Sequence, residues 1–406
     1  MKKIIPLLLF GLFFALAGRA QHPSCDGIRY LNPVFSQWDS TANLKYGENY
    51  TYSNNFQELF LDVYEPMGDN AAMRPAIIFA YGGSFIGGQR DDVAGLCKTY
   101  ASLGYVTVSF DYRLFDNFLF TDTVQAVDAV LKAVGDMKAA VRYLKEDAAT
   151  LNRFRIDTNY IFAGGISAGA ITALHLAYFN QADTIPTDMM PLVTANGGLE
   201  GNSSSNYQYS SKVAGVLNYS GALKDATWLD AGEVPLYSAH DTGDDVVPYG
   251  SGRVVVGFLV SIFLEGSGTI TDRANAEGVT NELYSVNSNG HVSYFNNNPT
   301  AAAAVTAGSM NMLYDVLCPG IVSNDGGEIE TVLVIPQPAE DYLSVRLPAS
   351  WEVSTISFFG IDGQLLREFE AQNEVELDLS DFAAGIYVMK TRGQAGQSAV
   401  QRVVIQ

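Results

Sequence analysis

Residues 58–64 (ELFLDVY) alternate apolar and polar positions, the period of a strand covered on one face. Residues 74–81 (RPAIIFAY) are continuously apolar, as expected for a strand covered on both faces. Residues 91–103 take helical spacing, and 104–112 (GYVTVSFDY) read as another strand. Residues 121–151 form a long helical stretch with Val134, Met137, Val141 and Leu144 on one stripe. A β-branched, aromatic strand over 158–163 (TNYIFA) then leads into an Ala/Leu-rich helix over 168–179. Strand signals resume at 213–219, 234–239 and 282–286, and the Ala-rich segment 299–317 reads as a closing helix.

Strands alternating with helices imply right-handed crossovers and a mostly parallel sheet flanked by helices. The pattern changes at 323–330 (SNDGGEIE), a linker. Beyond it lie seven strand-like segments: 332–335, 342–347, 354–360, 364–369, 375–379, 386–391 and 398–405. Asp362-Gly363 reads as a two-residue hairpin turn. The expected organisation is a targeting segment over 1–20, an α/β domain over 21–322, the linker, and a small all-β sandwich over 331–406.

Composition narrows the partners. The net charge is −20, so nucleic acid and anionic membrane are poor partners, while neutral polymers or small esters fit. Lys2 and Lys3, the apolar run 4–17 and Gly18-Arg19-Ala20 have the form of a secretory signal, too short to span a membrane. Residues 254–264 are apolar but only half the length of a span. Export permits a disulfide between two of the three cysteines. Cys97 shares a helix face with Val93, Leu96 and Tyr100 and reads as a buried thiol. Cys25 and Cys318, at the two ends of the large domain, are the more natural pair.

The chain is organised around Gly165-Ile166-Ser167-Ala168-Gly169. A serine between glycines at a strand-to-helix corner is a nucleophile elbow, with the helix aiming its positive end at the same spot. Such a serine needs a base. His22 falls at the expected mature N-terminus, where disorder is expected. His175 is two helical turns beyond Ser167, roughly 12 Å along the axis, and is expected to pack. His240 precedes the acid loop and is expected to order it. His291, in a turn after the last strand, fits the order serine, acid, histidine and is the expected base. Asp244 and Asp245 compete for the acid, with Asp244 favoured. The Asp241, Asp244 and Asp245 cluster matches no regular calcium loop, so neither metal nor cofactor is expected. Gly82 and Gly83, after an apolar strand, leave backbone N–H groups facing the pocket. With the N–H of Ala168 they form an expected oxyanion hole, in which one donor is typically worth about 3–4 kcal/mol.

Two inserts flank this constellation. Residues 114–120 (LFDNFLF) offer Phe115, Phe118 and Phe120 either as walls of an acyl pocket or as cover for the core. Residues 180–211, rich in Asn, Ser and Gly, are either a cap over the site or a surface loop.

Residues 57–318 resemble an α/β-hydrolase of the esterase/lipase type, close to the carboxylesterase-like group that includes feruloyl and acetyl-xylan esterases. The resemblance is carried by Gly82-Gly83-Ser84-Phe85, Asp111-Tyr112-Arg113, 136–145 (DMKAAVRYLK), the Ser167 elbow and 240–249 (HDTGDDVVPY). The last is similar to HGTADPVVPY, which places the acid on Asp244. Tyr81 stands where the family has His, and Asp241 where it has Gly. The tail resembles the C-terminal sorting domain of type IX secretion through 336–339 (PQPA), Asp341-Tyr342-Leu343, 360–363 (GIDG) and 384–387 (AGIY). It implies handling by that secretion machinery and delivery to the cell surface or medium.

Together these features imply an exported serine esterase acting through Ser167, His291 and Asp244; the resemblance alone implies that it deacylates plant polysaccharide or its fragments. Lipid or polyester hydrolysis is the nearest enzymatic alternative. An inactive binding protein on the same fold is the other class. The small sandwich as a carbohydrate binder would rest on its one tryptophan, Trp351.

Overall fold

The computed structural model describes residues 22–25, 28–117, 120–181, 183–256, 260–296 and 298–319 of the first unit. In the second it describes 332–335, 339, 341–347, 351, 354–360, 364–371, 374–383, 385–393 and 398–405. The targeting segment, the linker, Phe118, the 336–338 part of the tail motif and the Asp362-Gly363 turn lie outside the described residues.

The chain divides into two units, Met1–Ile321 and Val322–Gln406. In the first, β1 (Trp38–Tyr50), β2 (Phe56–Pro66) and β3 (Arg74–Ala80) precede α1 (Ala94–Ser102) and β4 (Val106–Phe110). The long α2 (Thr123–Ala149) leads to β5 (Ile156–Ile166), α3 (Ala168–Tyr178) and the short α4 (Met190–Ala195). Then follow β6 (Val216–Tyr219), β7 (Ala222–Leu223), β8 (Leu236–Asp241), β9 (Ser251–Val256) and β10 (Val260–Gly266). The unit ends with α5 (Ser267–Glu277), β11 (Asn281–Val286) and α6 (Pro299–Leu317).

The central sheet has the order β1-β2-β4-β3-β5-β6-β8-β11. Its first pairs, β1–β2 and β2–β4, are antiparallel, and every later pair is parallel. All seven residues of β3 and all five of β4 are buried, as in strands covered on both faces, including the polar Thr107 and Ser109 of β4. Two elements escape the hydrophobic pattern. Polar β1 is half of an edge hairpin, mostly exposed, so it carries little apolar signal. The apolar run 254–264 is a second hairpin, β9 paired with β10, joined to β7 in a small separate sheet.

The expected helix over 91–103 begins as a 3-10 turn at Arg90–Val93 and continues as α1, with Cys97 wholly buried. The end of β4 is fixed to α2 by Arg113, whose guanidinium and backbone N–H both donate to Asp136. Both side chains are essentially buried, so removing either leaves an uncompensated charge and costs about 3–5 kcal/mol.

The N-terminal segment departs from expectation. His22 is buried, its N–H donating to the Leu317 carbonyl at 3.0 Å and its ring 3.8 Å from Asp157. The reason is covalent: Cys25 and Cys318 form a disulfide that ties this segment to the end of α6. A crosslink closing so long a loop stabilises by about 2–4 kcal/mol, chiefly through the unfolded chain.

The second unit contains β12 (Leu333–Ile335), β13 (Tyr342–Arg346), β14 (Ser354–Phe359), β15 (Leu365–Ala371), β16 (Glu374–Asp378), β17 (Gly385–Gly393) and β18 (Ser398–Ile405). They form two antiparallel sheets, β12-β13-β16 and β15-β14-β17-β18, around one apolar core. Trp351 lies in that core at 5% exposure and offers no surface for a sugar.

Candidate active site

The corner between β5 and α3 is built by close approach. A Cβ on Gly165 would lie 2.2 Å from the Gly169 carbonyl carbon, and one on Gly169 would lie 2.1 Å from the Ala80 oxygen. Only glycines let strand and helix meet this closely. Ser167 between them takes φ +55° and ψ −118°, a conformation that side-chain-bearing residues rarely adopt. Its N–H donates to the Tyr219 carbonyl at 2.8 Å, holding the turn against β6. Ser167 sits at the N-terminal end of α3, where the helix dipole is positive.

The structure brings Ser167, His291 and Asp244 into one hydrogen-bonded chain. His291 Nε2 is 2.8 Å from Ser167 Oγ, and its Nδ1 is 2.6 Å from Asp244 Oδ2. The other carboxylate oxygen, Oδ1, accepts the N–H groups of Val246 and Val247, each at 2.9 Å. Burial works against ionisation of Asp244. The hydrogen bonds from His240, His291 and the Val247 N–H outweigh it and hold the carboxyl well below its ordinary value. An ionised Asp244 can only accept, so Nδ1 of a neutral His291 carries the proton and Nε2 faces the serine hydroxyl as acceptor.

The remaining polar candidates are accounted for nearby. His240 is fully buried, with Nε2 donating to the Val247 carbonyl at 3.0 Å and Nδ1 2.7 Å from Ser267 Oγ. It therefore shapes the acid loop. Asp241, also fully buried, accepts the N–H of Ser293 at 2.9 Å and the Ser293 hydroxyl. The acidic cluster is thus divided: Asp241 holds Ser293, Asp244 faces His291, and Asp245 is exposed. No set of three potential metal ligands converges among the described residues.

Gly82 packs against the elbow, its Cβ position 3.4 Å from Ser167 Cβ, and Gly83 takes φ +122°. The N–H groups of both glycines meet no protein acceptor among the described residues. The N–H of Ala168, first residue of α3, has no partner within its helix. Tyr81 anchors this loop through Tyr112. Its ring stacks on Tyr112 at 4.3 Å, and the Tyr112 hydroxyl donates to the Tyr81 carbonyl at 2.9 Å.

Ser167 opens on a cavity of about 430 Å³. One wall is α2, through Val127, Val130, Leu131 and Val134. A second is the β9–β10 hairpin, through Val254, Ile262 and Leu264. Neither wall was assigned to the site from the sequence. The signal for the first was present: residues 127, 130 and 131 extend the stripe of Val134, Met137, Val141 and Leu144 toward the start of α2. The hairpin gave no such signal, since its run also fits a buried segment.

Of the insert phenylalanines, Phe120 lines the cavity and Phe115 stacks behind it at 4.3 Å. Residues 180–211 divide between the two expected roles. Met189 reaches the cavity, while Glu200 is pinned to Arg142 of α2 at 3.0 Å. His175 is buried as expected and also lines the cavity, Nδ1 donating to the Ile171 carbonyl at 2.8 Å. Burial, only partly offset by that bond, lowers its pKa to about 4, so it stays neutral.

Comparison with known proteins fits this geometry. Residues 61–235 match the BD-FAE family model. The large unit is an α/β-hydrolase of the esterase type. Residues 333–406 match the secretion system C-terminal sorting domain, so this esterase-type hydrolase carries a type IX export signal for the cell surface or medium. No curated protein matches the chain. Among solved structures, esterase 2 of Thermogutta terrifontis phosphorylated by paraoxon is similar at 20% identity and TM-score 0.50. The match covers 69% of this chain and 95% of that one. Its native form, described as a thermophilic esterase from a Planctomycetes species, matches at 19% identity and TM-score 0.50, covering 73% and 98%. At such identities the likeness is one of fold. Among the described residues no helix is long and apolar enough to cross a membrane.

Proposed function

We propose that the protein is an exported serine esterase that deacylates plant polysaccharide or its fragments through an acyl-enzyme. The observation carrying this reading is the Asp244–His291–Ser167 hydrogen-bonded chain at the mouth of an apolar cavity. Ser167 Oγ attacks the ester carbonyl carbon while His291 Nε2 takes its proton. Asp244 stabilises the imidazolium so formed. The N–H groups of Gly82, Gly83 and Ala168 receive the oxyanion of the tetrahedral intermediate. His291 returns the proton to the departing sugar oxygen, leaving the acyl group on Ser167. Water, deprotonated by His291, then attacks the acyl-enzyme, and the carboxylic acid leaves as Ser167 recovers its proton.

The cavity discriminates between acyl groups. An acetyl group would leave most of about 430 Å³ unfilled, whereas an aromatic acyl group of the feruloyl kind covers the walls of α2 and the β9–β10 hairpin. The same walls favour a second reading, longer aliphatic acyl chains. Initial rates on acetyl, octanoyl and feruloyl esters of one alcohol, together with acid release from feruloylated arabinoxylan, separate the readings. The proposal expects the feruloyl ester to lead and the polymer to be cleaved. Octanoate leading with an inert polymer would move the assignment to lipid-like esters. No turnover of any ester, unchanged in Ser167→Ala, would point to a binding protein.

A further inference from the structure

The turn joining β1 to β2 presents three aromatic rings to solvent: Tyr50 at 52% exposure, Tyr52 at 40% and Phe56 at 56%. Singly, exposed aromatics need no explanation, but three on one turn make a patch. Tyr50 and Phe56 pair across the end of the hairpin, their rings meeting edge to face at 5.6 Å. Tyr52 packs on Phe115 at 4.8 Å, and Phe115 stacks on Phe120, which lines the Ser167 cavity. Tyr52 is therefore two ring contacts away from a cavity wall.

Topology sets this patch on the reacting edge of the sheet. β2 runs antiparallel to β4, so its start lies beside the carboxyl ends of β4, β3 and β5, where Ser167 sits. Three strand spacings separate β2 from β5, a lateral offset of roughly 15 Å, and the turn stands several residues further out along the strand than Leu61, which pairs with the end of β4. A small ester bound at Ser167 does not reach that far, whereas an oligosaccharide does.

The turn is also held in one shape. Asp116, just after β4, accepts the Ser53 N–H and an Asn55 side-chain N–H, both at 2.8 Å, and the Thr51 hydroxyl. The Thr51 N–H donates to the Asn55 carbonyl at 2.9 Å, and Arg113 donates to the Tyr50 carbonyl at 3.2 Å. Rings mounted on a fixed backbone lose little conformational freedom on binding.

We infer that Tyr50, Tyr52 and Phe56 form a platform that stacks against the sugar rings of a neutral polysaccharide while its ester occupies the Ser167 cavity. This rests on the polysaccharide reading above. The C–H faces of a pyranose cover aromatic rings while its hydroxyls stay in water. A net charge of −20 repels polyanionic chains and leaves neutral ones as the matching class.

The test compares the full chain with its Tyr50→Ala/Tyr52→Ala/Phe56→Ala variant on feruloylated arabinoxylan and on a soluble feruloyl ester of a small alcohol. On the polymer, KM rises by about tenfold or more, as the loss of stacking contacts implies. The small ester, too short to reach the platform, is turned over as before. Tyr50→Phe/Tyr52→Phe keeps the rings and therefore the parental KM on the polymer. In affinity electrophoresis, Ser167→Ala is retarded by arabinoxylan, and adding the triple substitution abolishes the retardation. Equal polymer KM for parent and triple variant, with the parent active on the polymer, overturns the platform alone. A parent that cleaves the small ester and never the polymer overturns the polysaccharide reading, and the platform falls with it.

Discussion

Asp241 accepts the Ser293 N–H at 2.9 Å, and so the loop that supplies Asp244 also clamps the turn that supplies His291. The clamp stands two residues from His291, next to Val292 in a left-handed conformation at φ +57°. The Asp241 carboxylate thus ties the histidine turn to the end of β8. Asp241→Ala frees that turn, and a misplacement of about 1 Å costs about 10²-fold in kcat. KM for small esters should stay within experimental spread, because Asp241 lines no part of the cavity. Asp241→Asn, which keeps an acceptor, recovers most of the rate. An unchanged kcat in the alanine variant would rule out this positioning role.

Asp244→Asn keeps an oxygen for the Val246 and Val247 N–H groups but presents a donor to His291 Nδ1. The imidazole then takes the tautomer whose Nε2 carries the proton and no longer accepts one from Ser167. The expected loss is on the order of 10⁴ in kcat, with the fold retained. Because the Asp244 carboxyl is held far below its ordinary pKa, its stabilising contribution persists until pH falls through that depressed value. The acid limb of the pH–rate profile therefore does not belong to Asp244. Rapid-quench turnover and circular dichroism on the variant check both points.

Tyr112→Phe removes the hydroxyl that donates to the Tyr81 carbonyl and leaves that carbonyl buried without its partner. The expected cost is about 1–3 kcal/mol of stability. It comes with a lower kcat, since the same carbonyl fixes the loop bearing Gly82 and Gly83. Chemical denaturation and steady-state rates report the two effects. A fall in stability with full activity would separate Tyr112 from the proposed oxyanion loop.

How far the sequence discloses this site depends on the range of the interactions involved. The Ser167 elbow is legible because its glycines are imposed by contacts within one strand-turn-helix unit. The chain order of Asp244 and His291 is legible because the sheet delivers them in sequence from adjacent parallel strands, β8 and β11. Asp241 was not legible as a clamp, since its partner Ser293 lies in a different loop. The β9–β10 wall was hidden for a related reason: an apolar run shows that a segment is covered, and says nothing of which cavity it faces. His22 was misread because a covalent tie some 293 residues away in sequence decides its burial.

Glu233 carries a pH dependence unrelated to catalysis. Burial is the main cause raising its pKa from the ordinary 4.5 to about 7, aided by Asp183 and Asp230 and opposed by hydrogen bonds from the Asp230 N–H and Asn180. The folded-state pKa is raised, so the stabilising contribution is fully present below 4.5 and is lost as pH rises through about 7. Glu233→Gln removes that dependence and gains on the order of 1 kcal/mol at pH 8, after allowance for partial exposure. Melting temperatures of both proteins from pH 4 to pH 8 should converge at the acid end, separate progressively up to about pH 7 and keep that offset above it. Parallel curves would contradict the assignment.

The most direct test of the Asp244–His291–Ser167 mechanism is labelling of the purified protein with a fluorophosphonate, followed by mapping of the modified peptide. The mechanism predicts a single stoichiometric adduct on Ser167 and its loss in His291→Ala, whose melting temperature serves as the control for folding. Absence of label on the folded parent, or an adduct on another serine that survives His291→Ala, would contradict it.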